Sequence, residues 1–244
     1  PSAWLGTAGV FAAGLALLAA FVLIERRAKH PLVRLGILRS APLVRANLGA
    51  LLFLGAFAGF QFLVTLYLQE VRGWTPLQTG LAMLVVAIDA ILAPLLTPRL
   101  VNRFGNTRVL VVGTVLAAVA YLLFLPAGFD WAYAAMLPTM VLLGLAFCLA
   151  YGPFTMAATE GVAENEQGLA GGLLYTSIQF GSALGLSAVT AVHIAAHAAG
   201  ASPLGAVRTA LVVPVAAAVL ATVVVALGLR ARRTATREPV PVST

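Results

Sequence analysis

Seven long apolar stretches, separated by short polar segments, organise this chain. They run from about 5–24, 48–68, 77–96, 109–125, 131–153, 169–191 and 210–229. Each is about 17–23 residues long, the length an α-helix needs to cross the hydrocarbon core of a bilayer. Only one holds a charged side chain, Asp89 in the third. The pattern predicts an all-α integral membrane protein of seven transmembrane helices.

The polar segments carry a second pattern, in their charge. The segment after the first span holds six Lys or Arg, the one after the third holds three, and the tail from Arg230 holds four. The segments on the other side hold only Arg72 and Arg208. Basic residues gather on the cytoplasmic side of membrane proteins, so the N-terminus of this chain is expected outside and the C-terminus in the cytoplasm of a multi-pass plasma (inner) membrane protein. Trp4, Trp74 and Trp131 all fall at expected outer span ends, the interfacial depth that Trp favours. The segment ATEGVAENEQG has three Glu and no cation; acidic residues weigh little in orientation, and these read as a solvated face.

Composition narrows the function classes. The chain is 61% hydrophobic and 9% charged, whereas a soluble domain carries about a quarter charged residues. The net charge of +7 sits beside apolar spans and reads as topology, not as a nucleic-acid patch. The single cysteine, Cys148, lies inside the fifth span, which leaves no intrachain disulfide and no Cys-based metal site. No Ser–His–Asp or His–Glu–x–x–His constellation is present, so an intramembrane hydrolase is not indicated. The expectation is no enzyme, no cofactor and no bound metal. His193 and His197 have a spacing that could serve a metal, but without a companion carboxylate or thiol they read as solvated outer-loop histidines.

Domain organisation follows from the connections. A basic segment at 25–47, with Pro31 and Pro42, separates an outlying transmembrane helix at 1–24 from a six-helix bundle at 48–230. The segment can lie along the inner leaflet or run as a solvated linker. The tail at 231–244, rich in Pro, Thr and Arg, is expected to be disordered. The chain starts at Pro1 without an initiating Met, and the expectation is the C-terminal part of a longer membrane protein.

Four runs carry a resemblance. ERRAKHPLVRLGILRS resembles the linker before the last six helices of fourteen-helix drug:proton antiporters of the major facilitator superfamily. LYLQEVRGWTPLQTGLAML is similar to that family's junction between helices nine and ten, and EQGLAGGLLYTSIQFGSALGLSAV to its helix thirteen. PRLVNRFGNTR resembles a degenerate copy of the superfamily's cytoplasmic loop motif, Gly-x-Leu-x-Asp-Arg-x-Gly-Arg. Leu100, Arg103 and Gly105 match it; Pro98, Asn102 and Asn106 stand where Gly, Asp and Arg would be. The resemblance implies that the seven spans are helices eight to fourteen of a transporter whose N-terminal half is a missing partner. It also implies proton antiport by alternating access, with a proton gradient and no cofactor.

Asp89 is the outstanding candidate for chemistry. An ionisable group inside a membrane span is costly and faces a cavity or a partner. It can attract a cationic substrate, cycle a proton, or stay protonated and bonded to a neighbour. Its helix face carries Ala82, Val85, Val86 and Ala93. Gln61, Thr65 and Gln69 form a polar stripe on the second span, with Phe53, Phe57, Phe60 and Phe62 nearby as mainly structural aromatics. The sixth span has two faces: Tyr175, Gln179 and Ser182 on one, and small residues with Gly181 and Gly185 on the other. The polar face suits a translocation path and the glycines suit close helix packing. Gly152–Pro153 is expected to end or kink the fifth span at its cytoplasmic side, a simple stop being favoured over a hinge.

The function expected is the C-terminal half of a secondary transporter. It would export amphipathic or cationic small molecules from within a lipid bilayer. Asp89, Gln61 and Gln179, with Thr65 and Tyr175, would line its side of the path. The alternative is a non-transporting membrane scaffold that uses the small-residue faces to bind other helices. A seven-helix receptor fits less well, because the seventh span carries no ligand-anchoring group.

Overall fold

The structure, a computed structural model, describes residues 40–235, with side chains to 229, and scattered helical positions between 12 and 37. The outlying first span, most of the basic linker and the expected disordered tail therefore lie largely outside the described residues. The chain divides into two units, Pro1–Ser40 and Ala41–Thr244.

The second unit holds six helices, each long and apolar enough to cross a bilayer: α1 (Ala41–Val71), α2 (Pro76–Phe104), α3 (Asn106–Phe124), α4 (Tyr133–Thr159), α5 (Glu164–Ala198) and α6 (Pro203–Leu229). The last continues as helix to Ala235. No strand occurs among the described residues. A helix satisfies its own backbone polar groups where lipid offers no partner, which is why unbroken apolar runs fold this way.

Helix ends differ from the hydropathy boundaries. Helix α1 begins at Ala41, inside the stretch read as linker, with Pro42 in its first turn, where a missing N–H costs nothing. Helix α2 starts on a capping box, with the Thr75 hydroxyl and the Gln78 amide each accepting from the other's backbone N–H. Ser202 caps α6 through the Gly205 N–H. Helix α4 runs through Gly152–Pro153 to Thr159 and does not stop there. Proline removes one ladder bond; the Pro153 carbonyl itself receives the Asn106 side-chain amide at 2.9 Å. Helix α5 extends to Ala198, so His193 and His197 are helical, not loop residues. His193 is only 8% exposed, which corrects the solvated reading for that ring. Hydropathy marks the lipid-embedded part of a helix, while caps decide how far its ladder continues.

Contacts order the bundle. Helices α2, α4, α1 and α5 are successive neighbours in a row, and α3 and α6 pack behind on α4 and α1. The α1–α5 pair is the most extensive. Gly181 and Gly185 of α5 face the backbone of Leu51 and Gly55 on α1. A Cβ at Gly55 would come within 2.7 Å of the Gly181 carbonyl oxygen, so these two backbones touch with no room for a side chain between them.

Behind the row lies an aromatic core. Phe53, Phe60, Tyr67, Tyr121 and Phe124 are fully buried, with Phe60 and Phe124 edge to face at 5.2 Å. Phe57 and Phe62 pack partly buried against it. The two arginines that stand apart from the other cations converge on the α3–α4 connection. Arg208 donates to the Ala127 carbonyl at 2.7 and 3.1 Å, and Arg72 to that of Phe129 at 3.0 Å. Tyr67 adds its hydroxyl to the Gly128 carbonyl at 2.6 Å. Both cations are thus spent on carbonyls of the α3–α4 connection.

Burial is uneven along the row. In their most apolar stretches α2 is 17% buried and α5 22%, against 56% for α1. Half or more of the residues in the most apolar stretches of α1, α3 and α4 are buried, whereas α2 and α5 keep broad exposed faces.

Candidate functional site

Helix α2 is not one continuous α-helix. Pro76–Met83 is α-helical, Leu84–Ala87 tightens to a 3₁₀ turn, and Ile88–Phe104 resumes the α-helix. Asp89 therefore lies in the first turn of a new α-segment, where the local dipole favours negative charge. The 3₁₀ turn also shifts the helix face. Ala82 and Val86 are buried toward α4, with the Ala82 carbonyl accepting the Tyr133 hydroxyl at 2.8 Å. The Asp89 side continues through Ala93 and Thr97, at i+4 and i+8.

That side borders a cavity of about 300 Å³ between α2 and α4. Helix α2 contributes Asp89, Ala93, Thr97 and Pro98; α4 contributes Phe147, Cys148, Tyr151 and Gly152. The small residues Ala93 and Gly152 leave the space. Phe147 and Tyr151 stack at 5.2 Å with 15° between their rings and form an aromatic wall. Thr97 closes the interior side, donating its hydroxyl to the Cys148 carbonyl at 2.8 Å. From Asp89 the cavity runs toward the α2–α3 connection. A carboxylate at one end of a mainly apolar and aromatic cavity is suited to an amphipathic cation, through charge and ring-face attraction.

The other residues singled out from sequence do not line this cavity. Gln61 and Thr65 are half-buried on α1, and the Thr65 hydroxyl donates to the Gln61 carbonyl at 2.9 Å and lies 3.7 Å from the Met83 sulfur of α2. One turn before Gln61, Phe57 packs on Phe147 at 4.8 Å. Tyr175, 60% exposed, and Gln179 lie on the uncovered side of α5. Gly181 is buried against α1 and Gly185 half-buried beside it. Among the described residues, no cluster of three or more His, Cys, Asp and Glu can hold a metal.

Thr97, Phe147 and Tyr151 were not recognised in the sequence. Thr97 had a signal, because it falls two turns from Asp89 on the same stripe. Phe147 and Tyr151 are four residues apart on one helix face, but nothing in the chain's pattern says that this face looks at α2.

The loop motif sits at the other end of α2. Gly105 alone joins α2 to α3 and has φ of 84°, a conformation open to glycine and strained for side chains. Leu100 is half-buried, and Arg103 lies on the surface with its guanidinium 5.3 Å from the Phe104 ring centre. Asn106, in the place of the motif's Arg, ties the start of α3 to α4 through Pro153.

Residues 1–186 match the family model described as Major Facilitator Superfamily. The chain belongs to the major facilitator superfamily. Its curated relatives include a lincomycin resistance protein of Streptomyces lincolnensis, 33% identical over 75% of this chain and 38% of that protein. A tetracenomycin C resistance and export protein of Streptomyces glaucescens is 32% identical over 79% of this chain and 36% of its own length. A multidrug efflux pump of Mycolicibacterium smegmatis is 26% identical over 77% and 37%. The chain thus spans under two-fifths of the length of these relatives. As a member of this superfamily it is a multi-pass membrane protein, and the relatives it resembles are named for drug resistance and export. The facilitator bundle in hand presents α2 and α5 with little cover, and the Asp89 cavity opens on one of them.

Proposed function

We propose that this chain forms the C-terminal portion of a drug exporter of the major facilitator superfamily, working by proton antiport with alternating access. Its organisation would be an outlying helix, a basic linker and a six-helix bundle that meets a missing N-terminal half. The observation that carries the reading is the Asp89 cavity: a lone intramembrane carboxylate beside a stacked Phe147–Tyr151 wall, on a helix that its own bundle leaves mostly uncovered. Charge recruits a cationic head and the aromatic wall holds an apolar body. The uncovered faces of α2 and α5, with Gln179 and Tyr175, are where the other half and the path between the halves fit. Gln61 and Thr65 would act from α1, beside Met83 of α2. The length of the relatives and the names they carry support export of amphipathic small molecules. The scaffold alternative has no comparable support, because packing against other helices does not need a carboxylate at a cavity.

Proton coupling is tested with the full-length transporter in proteoliposomes. An imposed pH gradient should drive accumulation of a cationic dye such as ethidium, and collapsing the gradient with an ionophore should abolish it. Dye movement indifferent to the gradient would remove antiport, and no movement of any amphipathic cation would remove the exporter reading.

Orientation in the inner membrane is tested with cysteines at the two ends of α2. In a Cys148→Ser background, Thr75→Cys should label with an impermeant maleimide from outside intact cells. Thr107→Cys should label only after the cells are opened. The reverse pattern would invert the map.

A further inference from the structure

A second cavity, separate from the Asp89 site, lies where α2, α3 and α4 meet near the Gly105 turn. It encloses about 370 Å³ and is lined by Leu100, Phe104, Arg108, Val109, Val112 and Leu149. Val109 and Leu149 are buried and form its floor, while Phe104 and Val112 are about half exposed and form its rim. Apart from Arg108 the lining is wholly apolar. The groove is therefore suited to a hydrocarbon chain, with one cation at its mouth.

The charge around that mouth has one sign. Arg103 lies over Phe104, and Arg99 is one turn before Arg103 on α2. All three arginines are exposed. Among the described residues none of them has a carboxylate partner. The sequence explains why: residues 97–109 contain no Asp or Glu, and Asn102 occupies the motif position where an Asp would stand. The cations remain beside an apolar groove, at the helix ends that positive-inside counting puts in the cytoplasm. Arginine pairs with phosphate through two parallel N–H bonds, and anionic headgroups attract such cations at the inner leaflet.

We propose that this groove binds an anionic phospholipid of the cytoplasmic leaflet, with an acyl chain along Val109, Val112 and Leu149 and the phosphate held by Arg103 and Arg108. The site is independent of the substrate cavity, and it stands whatever the transporter exports. A groove without cations would take any lipid tail, and cations without a groove would give only diffuse surface attraction. Their coincidence at one turn specifies both parts of the ligand. The missing Asp gives the degenerate motif a role of its own, because an acidic residue there would compete with the phosphate for the same arginines.

The test is native mass spectrometry of the full-length transporter extracted from vesicles of equal phosphatidylglycerol and phosphatidylcholine. Wild type should retain phosphatidylglycerol in preference to phosphatidylcholine. Arg103→Gln with Arg108→Gln should lower phosphatidylglycerol retention by about tenfold and leave phosphatidylcholine unchanged. Val112→Trp, which fills the groove and keeps both cations, should lower it as well. Equal retention of the two lipids, or retention indifferent to the arginines, would overturn the proposal. A thiol-attached photo-crosslinker on Val112→Cys should yield a phospholipid adduct. An adduct with another segment of the transporter would show that protein, not lipid, covers this face.

Discussion

In the full-length transporter, Asp89→Asn is expected to cut efflux of cationic amphipathic substrates by about 10- to 100-fold and to leave neutral substrates within about twofold. The magnitude follows from hydrogen bonds and contacts to a charged group, worth about 1.5–3 kcal/mol, at about 1.4 kcal/mol per tenfold. Asparagine keeps the size of the side chain, so the change removes charge and little else. Efflux of a cationic and a neutral dye from the same cells, at matched expression, reads the result. Equal loss for both would move Asp89 from substrate attraction to proton cycling or to structure. Unchanged efflux of both would leave it bonded in place without a part in transport.

Gly185→Val should have the largest effect on the protein itself. The side chain would be driven into the Gly55 backbone, and α1 and α5 cannot keep their spacing. Overpacking of this kind costs about 1–3 kcal/mol or more, and here the obstacle is main chain, which cannot rotate away. The expected outcome is a lower melting temperature in detergent and much less protein in the membrane. Gly172→Ala provides the contrast on the same helix. A methyl group there meets nothing within 4 Å, and alanine is the better helix former by about 1 kcal/mol. Its stability should be unchanged or raised. If both variants melt alike, the α1–α5 contact is not what holds this face together.

The packing geometry rests on a feature that sequence displays only in part. Gly181 and Gly185 share a face with Leu184 and Ala188, and that small-residue pattern was legible. Their counterparts Gly55 and Gly59 have the same Gly-x-x-x-Gly spacing on the second span, but spacing alone does not say which helix they meet. Only the pairing of α5 with α1 shows that each pair exists for the other. The same holds for Asp89. Its cost in a membrane announced it, but its cavity is built by Phe147 and Tyr151, which belong to a helix 44 residues or more further along. Gln61 and Thr65 form the stripe that their spacing predicts, yet neither lines the Asp89 cavity, and Thr65 lies beside Met83 of α2.

The ends of the helices tell a similar story. Hydropathy placed the span starts at 48 and 210, whereas the helices begin at Ala41 and Pro203. Lipid demands a helix wherever the chain is immersed, but nothing stops the ladder at the interface until a cap does. His193 was misread for this reason. The apolar run fades at 191, but α5 continues for about two more turns, to Ala198, and carries the ring into the protein.

What the sequence by itself determined about this chain is its class: helices of membrane-spanning length, basic residues gathered in alternate loops, and a single carboxylate within the spans. These are local consequences of a solvent that accepts no unpaired backbone and penalises every charge, so they are written in consecutive residues. The tertiary structure alone decided which faces meet. It set α5 on α1 through glycine, opened the cavity between α2 and α4, spent Arg72 and Arg208 on loop carbonyls, and left three arginines free beside an apolar groove. Inside a bilayer most helix faces are apolar, and hydropathy does not rank one apolar face against another. Close packing between particular side chains does, and that depends on residues far apart in the chain.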